Sequence, residues 1–410
     1  MEPIEKLQVY LRFIDTPVAV GQMVSDNGTI YFKYDDTFIK KGLELSPFKL
    51  KLSDTILTPE TPIFVGLFGV FNDSLPDGWG RLLLDRTLLS KGISLNQITP
   101  LDRLAYVGSG GMGALTYKPS LNSEFRTDKL MELDEISQEM IKVLEGTPSE
   151  IIEELFNLGG SSGGARPKIF VGFNPKTNHL IHGHWSLPKD YEHWIIKFPS
   201  STDLPDIAQI EYAYYKMALA AGIEMSECKL FEGPSGKKYF ATKRFDRIQN
   251  DRLHLHSASG LLNDNFRYSN LDYGNLMDCA FRLENHVAAY SKVLRLAAFN
   301  VYSHNRDDHS KNISFLMNAA GEWKLAPAYD LTFSNASHGM HSTMIAGESK
   351  SPGQQHLFEL ANTFGVKTPE TIMNEVKSAI ADWNSYAKDS GVNNDSKKLI
   401  DKAMTEISKG

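Results

Sequence analysis

Polar and apolar residues alternate at period two in KLQVYLRF (6–13), and the alternation returns in TIYFKYDD (29–36) after the turn residues DNG. Alternation of that kind puts every second side chain on one face, so both segments are predicted as strands. PIFVGLFGVF (62–71) is a continuous apolar run, predicted to be buried. SLPDGWGRLLLDRTLLSKG (74–92) opens on a Pro- and Gly-rich turn and predicts a helix that carries Leu82, Leu83 and Leu84. Polar residues dominate PSLNSEFRTD (119–128), a candidate domain boundary, and two helices are predicted over 129–157.

Beyond them NLGGSSGGARPKIFVG (157–172) is dense in glycine, and KIFVGFN, HLIHGHWS and HWIIKF follow as three short strands. A helix is predicted from about Asp206 to Ala221. KLFEGPSGKKYFATKRF (229–245) reads as a hairpin turning at Pro234–Gly236. From about 270 helices dominate, interrupted by a second apparent hairpin, NISFLMNAAGEWKLAPAYD (312–330), and the tail over roughly 369–408 is helical and amphipathic. A strand-rich middle followed by a helical end, with a glycine-rich loop at its start, implies two lobes around a cleft. The two serines of that loop are open to three readings: spacers, phosphate ligands, or phosphate acceptors.

Composition narrows the class. With 410 residues, 41% hydrophobic and 23% charged, the chain is expected to be a soluble globular protein of two or three cores. A net charge of −7 argues against nucleic-acid binding by bulk electrostatics. The two cysteines, Cys228 and Cys279, lack ligand spacing, which fits a reducing cytoplasm. No run approaches the roughly 18 apolar residues of a membrane span, so a cytoplasmic protein with no membrane association is expected.

Two motifs mislead. GSGGMG (108–113) satisfies G-x-G-x-x-G through Gly108, Gly110 and Gly113, but ALTYKPS follows, a strand and not the helix that a pyrophosphate needs. HNRDDH (304–309) offers His304, Asp307, Asp308 and His309 to a metal, yet Arg306 stands where a further ligand is required. His254 and His256 have no third ligand nearby and are expected at the surface.

Taken from Arg306, the same stretch has the R-D-x-x-x-x-N spacing of a kinase catalytic loop, ending at Asn312. Asp307 would orient a hydroxyl proton, and Asn312 would hold Mg2+ with a second carboxylate, Asp330, returned beside it by the hairpin. Lys197 ends a strand after the glycine-rich loop, where a kinase keeps its phosphate-binding lysine. Glu211 is a candidate to orient that lysine, or else a solvated helix carboxylate. The loop is not a Walker motif, because Lys168 is followed by Ile169 and a strand, where a Walker loop opens a helix.

These residues resemble the HipA family, the bacterial serine/threonine kinase toxins of type II toxin–antitoxin pairs. FGVFNDSLPDGWGRLLLDR (68–86), S-x-x-G-A-x-x-K (161–168), WIIKFP, KRFDR (243–247), D-D-H-S-K-N (307–312) and L-x-P-x-Y-D (325–330) stand in the family's order over nearly the whole chain. The resemblance implies an α+β, bilobal, protein-kinase-like fold. A small β-rich amino-terminal module (1–120) would precede the kinase domain (121–410), its mixed lobe over about 158–248 and its mostly helical lobe over about 249–410.

It further implies Asp307 as catalytic base, Asn312 and Asp330 as Mg2+ ligands, and Lys197 on the ATP phosphates. Gly163, Gly164, Ala165, Arg166, Pro167 and Lys168 would cover those phosphates. Lys243, Arg244 and Phe245 would run along the adenine, with His309, Lys311 and Tyr329 also at the ATP site. Ser161 would be the autophosphorylated serine, acting as an off-switch. Implied partners are a HipB-like helix-turn-helix antitoxin, operator DNA mainly through that antitoxin, and a protein substrate such as an aminoacyl-tRNA synthetase; the implied role is growth arrest and persistence. Three departures stand out: Leu-Thr after Asp330 in place of Phe-Gly, Lys243 where the best-known member has an acidic residue, and Arg166-Pro167 in the loop. A catalytically weak kinase-fold co-repressor and a small-molecule phosphotransferase are the alternatives.

Overall fold

The structure, a computed structural model, describes residues 2–122, 131–149, 151–160, 163–182, 186–336 and 339–408. The chain folds into two compact units built from interleaved segments. The first takes residues 1–202, 231–256 and 317–321; the second takes 203–230, 257–316 and 322–410. The helix predicted from Asp206 falls in the second unit rather than with the strand-rich middle.

In the first unit, strands β1 (Lys6–Leu11), β2 (Val18–Asp26), β3 (Thr29–Tyr34) and β4 (Leu115–Lys118) form an antiparallel sheet in the order β3-β2-β1-β4. The period-two reading holds: Leu7, Val9 and Leu11 of β1 and Ile30, Phe32 and Tyr34 of β3 are buried. Asn27 and Gly28 close the β2–β3 hairpin with φ of 48° and 79°, the positive pair that a two-residue turn demands. Phe32 anchors the core beneath, its ring 4.8 Å from Tyr34 and 4.9 Å from Phe71. The apolar run 62–71 is buried as expected at Phe64, Leu67, Phe68, Val70 and Phe71, but as two short helical turns, Pro62–Phe64 and Gly69–Asn72.

A five-stranded sheet follows, β6-β5-β7-β9-β8 in order, from β5 (Lys168–Asn174), β6 (His179–His182), β7 (Glu192–Lys197), β8 (Cys228–Glu232) and β9 (Lys238–Lys243). Every residue of β5 is buried, which is why KIFVGFN carries a near-continuous apolar pattern. The helices Gly78–Ser90, Leu133–Glu145 and Ile152–Gly159 cover the sheet, and Trp79, Leu83, Leu155, Ile169, Trp194 and Ile196 share one apolar cluster.

Behind β9, a buried ionic cluster fastens the glycine turn 108–113. Asp246 accepts from Arg244 Nε at 2.9 Å, from Arg247 Nη1 at 2.6 Å and from Gly113 N–H at 2.7 Å. Arg247 donates to the carbonyls of Gly111 and Gly113, and Arg252 to that of Ser109. GSGGMG thus serves arginines with its carbonyls, and β4 follows it. The surface expectation for His254 and His256 is corrected: both are fully buried. The ring of His254 is bonded to Leu45 O at 2.9 Å, and that of His256 to Asp73 at 2.7 Å. Burial, helped by neighbouring His256, pushes His254 down to about 3.

The second unit is mainly helical: Ile207–Ala220, Tyr273–Glu284, Ala288–Tyr302, Gln354–Thr363, Pro369–Ala381, Trp383–Ser390 and Asn394–Ser408, with one hairpin of Ser314–Met317 and Trp323–Leu325. Tyr214 donates to Ser303 O at 2.5 Å and packs its ring 5.6 Å from Trp383. Asp206 accepts from Asn393 N–H and Ser396 Oγ, both at 2.7 Å, and so ties the first helix of the unit to the last. Among the described residues no helix is long and apolar enough to cross a membrane.

Candidate active site

In the second unit, the helix Ala288–Tyr302 feeds an irregular loop that runs to the short turn Ser310–Asn312 and the strand Ser314–Met317. Asn312 donates its side-chain amide to Asp307 O at 2.8 Å. That bond fixes which end of the amide is nitrogen and leaves Oδ1 as the acceptor. Asp307 itself is exposed, its side chain 54% accessible, with His309 Nε2 3.8 Å away.

Its neighbour Asp308 has the opposite environment. The carboxylate is fully buried and accepts from Tyr273 OH at 3.1 Å, His341 Nδ1 at 2.9 Å, Ser342 N–H at 2.8 Å and Thr343 N–H at 3.3 Å. A relay of amides continues the network, from Asn305 to Asn300 Oδ1 at 2.9 Å and from Asn300 to Tyr273 OH at 2.8 Å. The loop therefore hangs from a buried anchor one residue beyond its exposed carboxylate.

The hairpin returns Asp330 to this loop. Tyr329 donates to Lys311 O at 2.6 Å, and its oxygen lies 2.6 Å from the Ser314 hydroxyl, which is left to donate to it. Asp330 adopts φ of +54°, the left-handed region that a carboxylate residue enters only where its surroundings hold it. Asp307, Asn312, Tyr329 and Asp330 line one concavity together with Asn300, Asn305 and Asp308. Asn312 Oδ1 and the Asp330 carboxylate are hard oxygen donors, a donor set suited to Mg2+ and not to softer metals. His304 serves packing: its ring stacks 5.2 Å from Phe333 and its Nε2 pairs with Asn335 Oδ1 at 2.9 Å, while burial pushes its pKa down. His309 and Lys311 both lie against Phe266, at 5.1 and 5.3 Å from its ring.

The first unit carries the cations. Lys168 and Lys197 are directly opposed across β5 and β7, and Lys197 is opposed to Phe240 across β9. Opposed residues share a sheet face, so two lysines stand side by side, 7% and 8% exposed. Lys168 Nζ donates to Gly163 O at 2.6 Å, and the Pro167 carbonyl accepts from Phe198 N–H at 2.8 Å. Ala165 is exposed and Arg166 half-buried.

The remaining predicted residues fall as follows. Lys243 pairs with Glu192 at 2.6 Å. Arg244 is buried on Asp246 with its guanidinium 4.4 Å over Phe170, and Phe245 is half-buried. Glu211, 3% exposed on Ile207–Ala220 in the second unit, is not the solvated carboxylate considered from the sequence. Ser161 lies outside the described residues. Sequence reasoning missed the anchoring by Asp308, His341, Tyr273 and Asn300, which hold the 303–312 loop without any spacing rule; only the doubled aspartate hinted at it.

Comparison with known proteins gives a consistent result. A family model described as the HipA-like C-terminal domain matches residues 160–383, and one described as the HipA N-terminal domain matches residues 12–118. A curated protein of Sinorhizobium fredii, "Putative kinase Y4mE", is 27% identical over 337 residues, spanning 76% of this chain and 74% of its own. Among solved structures, the Shewanella oneidensis MR-1 toxin–antitoxin complex of HipA, HipB and operator DNA aligns with a TM-score of 0.68 at 19% identity, covering 98% of this chain and 95% of that one.

Proposed function

The chain belongs to the HipA family, and from that premise we propose that it is an ATP- and Mg2+-dependent serine/threonine protein kinase, the toxin of a toxin–antitoxin pair. The observation that carries the reading is the convergence of Asp307, Asn312 and Asp330 on one concavity of the second unit.

Asp307, exposed at the rim, accepts the proton of an incoming serine or threonine hydroxyl, and its accessibility suits a protein substrate. Asn312 holds the loop through Asp307 O, and buried Asp308 fixes its far side, so the base is presented without reorganisation. A Mg2+ ion held by Asn312 and Asp330 would neutralise charge developing on the transferred phosphoryl group. Lys197 and Lys168 supply the charge that binds the nucleotide's phosphates. The backbone of Lys243–Phe245 borders the base.

Ser161 is assigned as the self-phosphorylation site, where a phosphate of charge near −2 would compete with nucleotide. The protein target is of the aminoacyl-tRNA synthetase class, and the partner is a HipB-like antitoxin that carries the operator contacts; the Shewanella complex holds HipA, HipB and operator DNA together. The test incubates the protein with γ-labelled ATP, Mg2+ and the host's synthetases, then maps the labelled peptides. Wild type labels Ser161 and a target serine or threonine. Asp307→Asn loses about 10²–10⁴-fold in rate while keeping its stability within about 0.5 kcal/mol, as befits an exposed side chain. Labelling by Asp307→Asn at the wild-type rate overturns the assignment.

A further inference from the structure

The SLPDGWG stretch takes no part in the reaction above, yet it grips the tip of the glycine-rich loop. The Asp77 carboxylate accepts from the Gly164 N–H, 87 residues further on. Trp79 N–H donates back to Gly164 O at 3.0 Å. Both backbone polar groups of Gly164 are thus held by one Asp-Gly-Trp turn. Gly78, between the two, has φ of +43°, and a Cβ there would stand 2.4 Å from Gly164 O and 2.7 Å from Ala165 Cα. The approach is close because nothing but glycine permits it.

Asp77 precedes the helix Gly78–Ser90 at its N-cap, where an aspartate ordinarily accepts from the second or third N–H of its own helix. It makes no such bond. Its carboxylate reaches the loop instead. The turn has a firm base, since Trp79 is 1% exposed and packs over Gly159, where an added Cβ would meet Lys168 O at 2.2 Å. On its other side the loop is held by Lys168 Nζ on Gly163 O. Two adjacent glycines, both exposed, are therefore held at once by the Asp77–Trp79 turn and by the lysine that ends the loop.

We infer that Asp77 is a positioning residue for the glycine-rich loop, fixing Gly164 so that the loop meets the nucleotide phosphates already ordered. The inference rests on the kinase reading for its consequence, though not for the contact itself. Ordering a glycine pair costs more backbone entropy than ordering any other residues, and a loop released from Asp77 would have to meet that cost on binding nucleotide. The effect belongs in nucleotide affinity, because the reacting groups Asp307, Asn312 and Asp330 are elsewhere.

Two variants of the full chain separate the outcomes. Asp77→Asn keeps an oxygen that accepts from Gly164 N–H, whereas Asp77→Ala removes it. Without nucleotide, hydrogen–deuterium exchange of the peptide containing Gly163 and Gly164 is expected to speed up about tenfold in Asp77→Ala, the loss of one charge-assisted hydrogen bond, and to stay near wild type in Asp77→Asn. With nucleotide, Asp77→Ala is expected to raise KM for ATP about tenfold with kcat nearly unchanged, and Asp77→Asn to restore most of the affinity. Unchanged exchange in Asp77→Ala overturns the clamp. Faster exchange with an unchanged KM, or an equal fall in kcat, overturns its role in positioning. A wild-type protein that turns over no ATP sinks the kinase reading instead, and the exchange measurement still reports on the clamp.

Discussion

Asp307 and Asp308 are adjacent in sequence and opposite in use. One is exposed on the loop before Asn312, and the other is buried under four donors from Tyr273, His341, Ser342 and Thr343. Only a carboxylate has acceptor capacity on both oxygens, so Asp308→Asn would turn an NH2 group toward a donor that needs an acceptor. We expect Asp308→Asn to lower stability by about 1–3 kcal/mol and to cut kinase activity as well, whereas Asp307→Asn loses activity alone. Denaturant unfolding of both variants beside the labelling assay checks the contrast. Equal stabilities would mean that the buried network does not hold the loop. Nothing in HNRDDH distinguishes the two aspartates, because the spacing rule concerns Asp307 and the anchor depends on residues 35 positions away in sequence.

At the scale of elements, much was legible. The alternation in β1 and β3, the 233–236 turn between β8 and β9, the helix at 207–220 and the hairpin that returns Asp330 all follow from local periodicity and turn chemistry. What stayed hidden depends on partners far along the chain. The run 62–71 is apolar enough for a strand, but it curls into helical turns beneath the rings of the first sheet. His254 and His256 are buried because Leu45, Ser46 and Asp73 supply their partners.

GSGGMG is likewise explained only by KRFDR, whose Asp246 draws Gly113 into the ion cluster. Burial alone would push the Asp246 carboxyl up. Arg244 and Arg247, with the bonds from Arg244 and Gly113, outweigh it and hold the group well below the usual carboxylate range. Its contribution to stability is therefore full well above the unfolded carboxylate value of about 4, falls progressively as pH drops below that value, and is lost once pH passes below the depressed folded value. Asp246→Asn leaves two buried guanidinium groups uncompensated. It is expected to cost about 3–5 kcal/mol in denaturant unfolding at neutral pH, or to abolish soluble expression. A cost under about 1 kcal/mol would show that the cluster does not hold the glycine turn.

At the scale of the whole molecule, two properties bear on partners: interleaved units and net charge. The chain crosses between its units at 202, 230, 256, 316 and 321, so neither unit is a contiguous piece that could be excised, and tests belong on the full chain. The charge of −7 bears on DNA. Duplex affinity rises with the number of phosphates that lysine and arginine neutralise, and an acidic chain releases few counterions beyond a local patch. If this protein reaches operator DNA, the proposed antitoxin must supply most of the cationic contact. Fluorescence anisotropy with a labelled operator duplex should then detect no binding by the chain alone at about 150 mM salt. Adding the antitoxin should produce binding whose salt slope matches that of the antitoxin alone to within about one phosphate contact. A steep slope contributed by this chain would mean that a basic surface on it outweighs the acidic balance of the whole, and would move operator recognition onto the kinase itself.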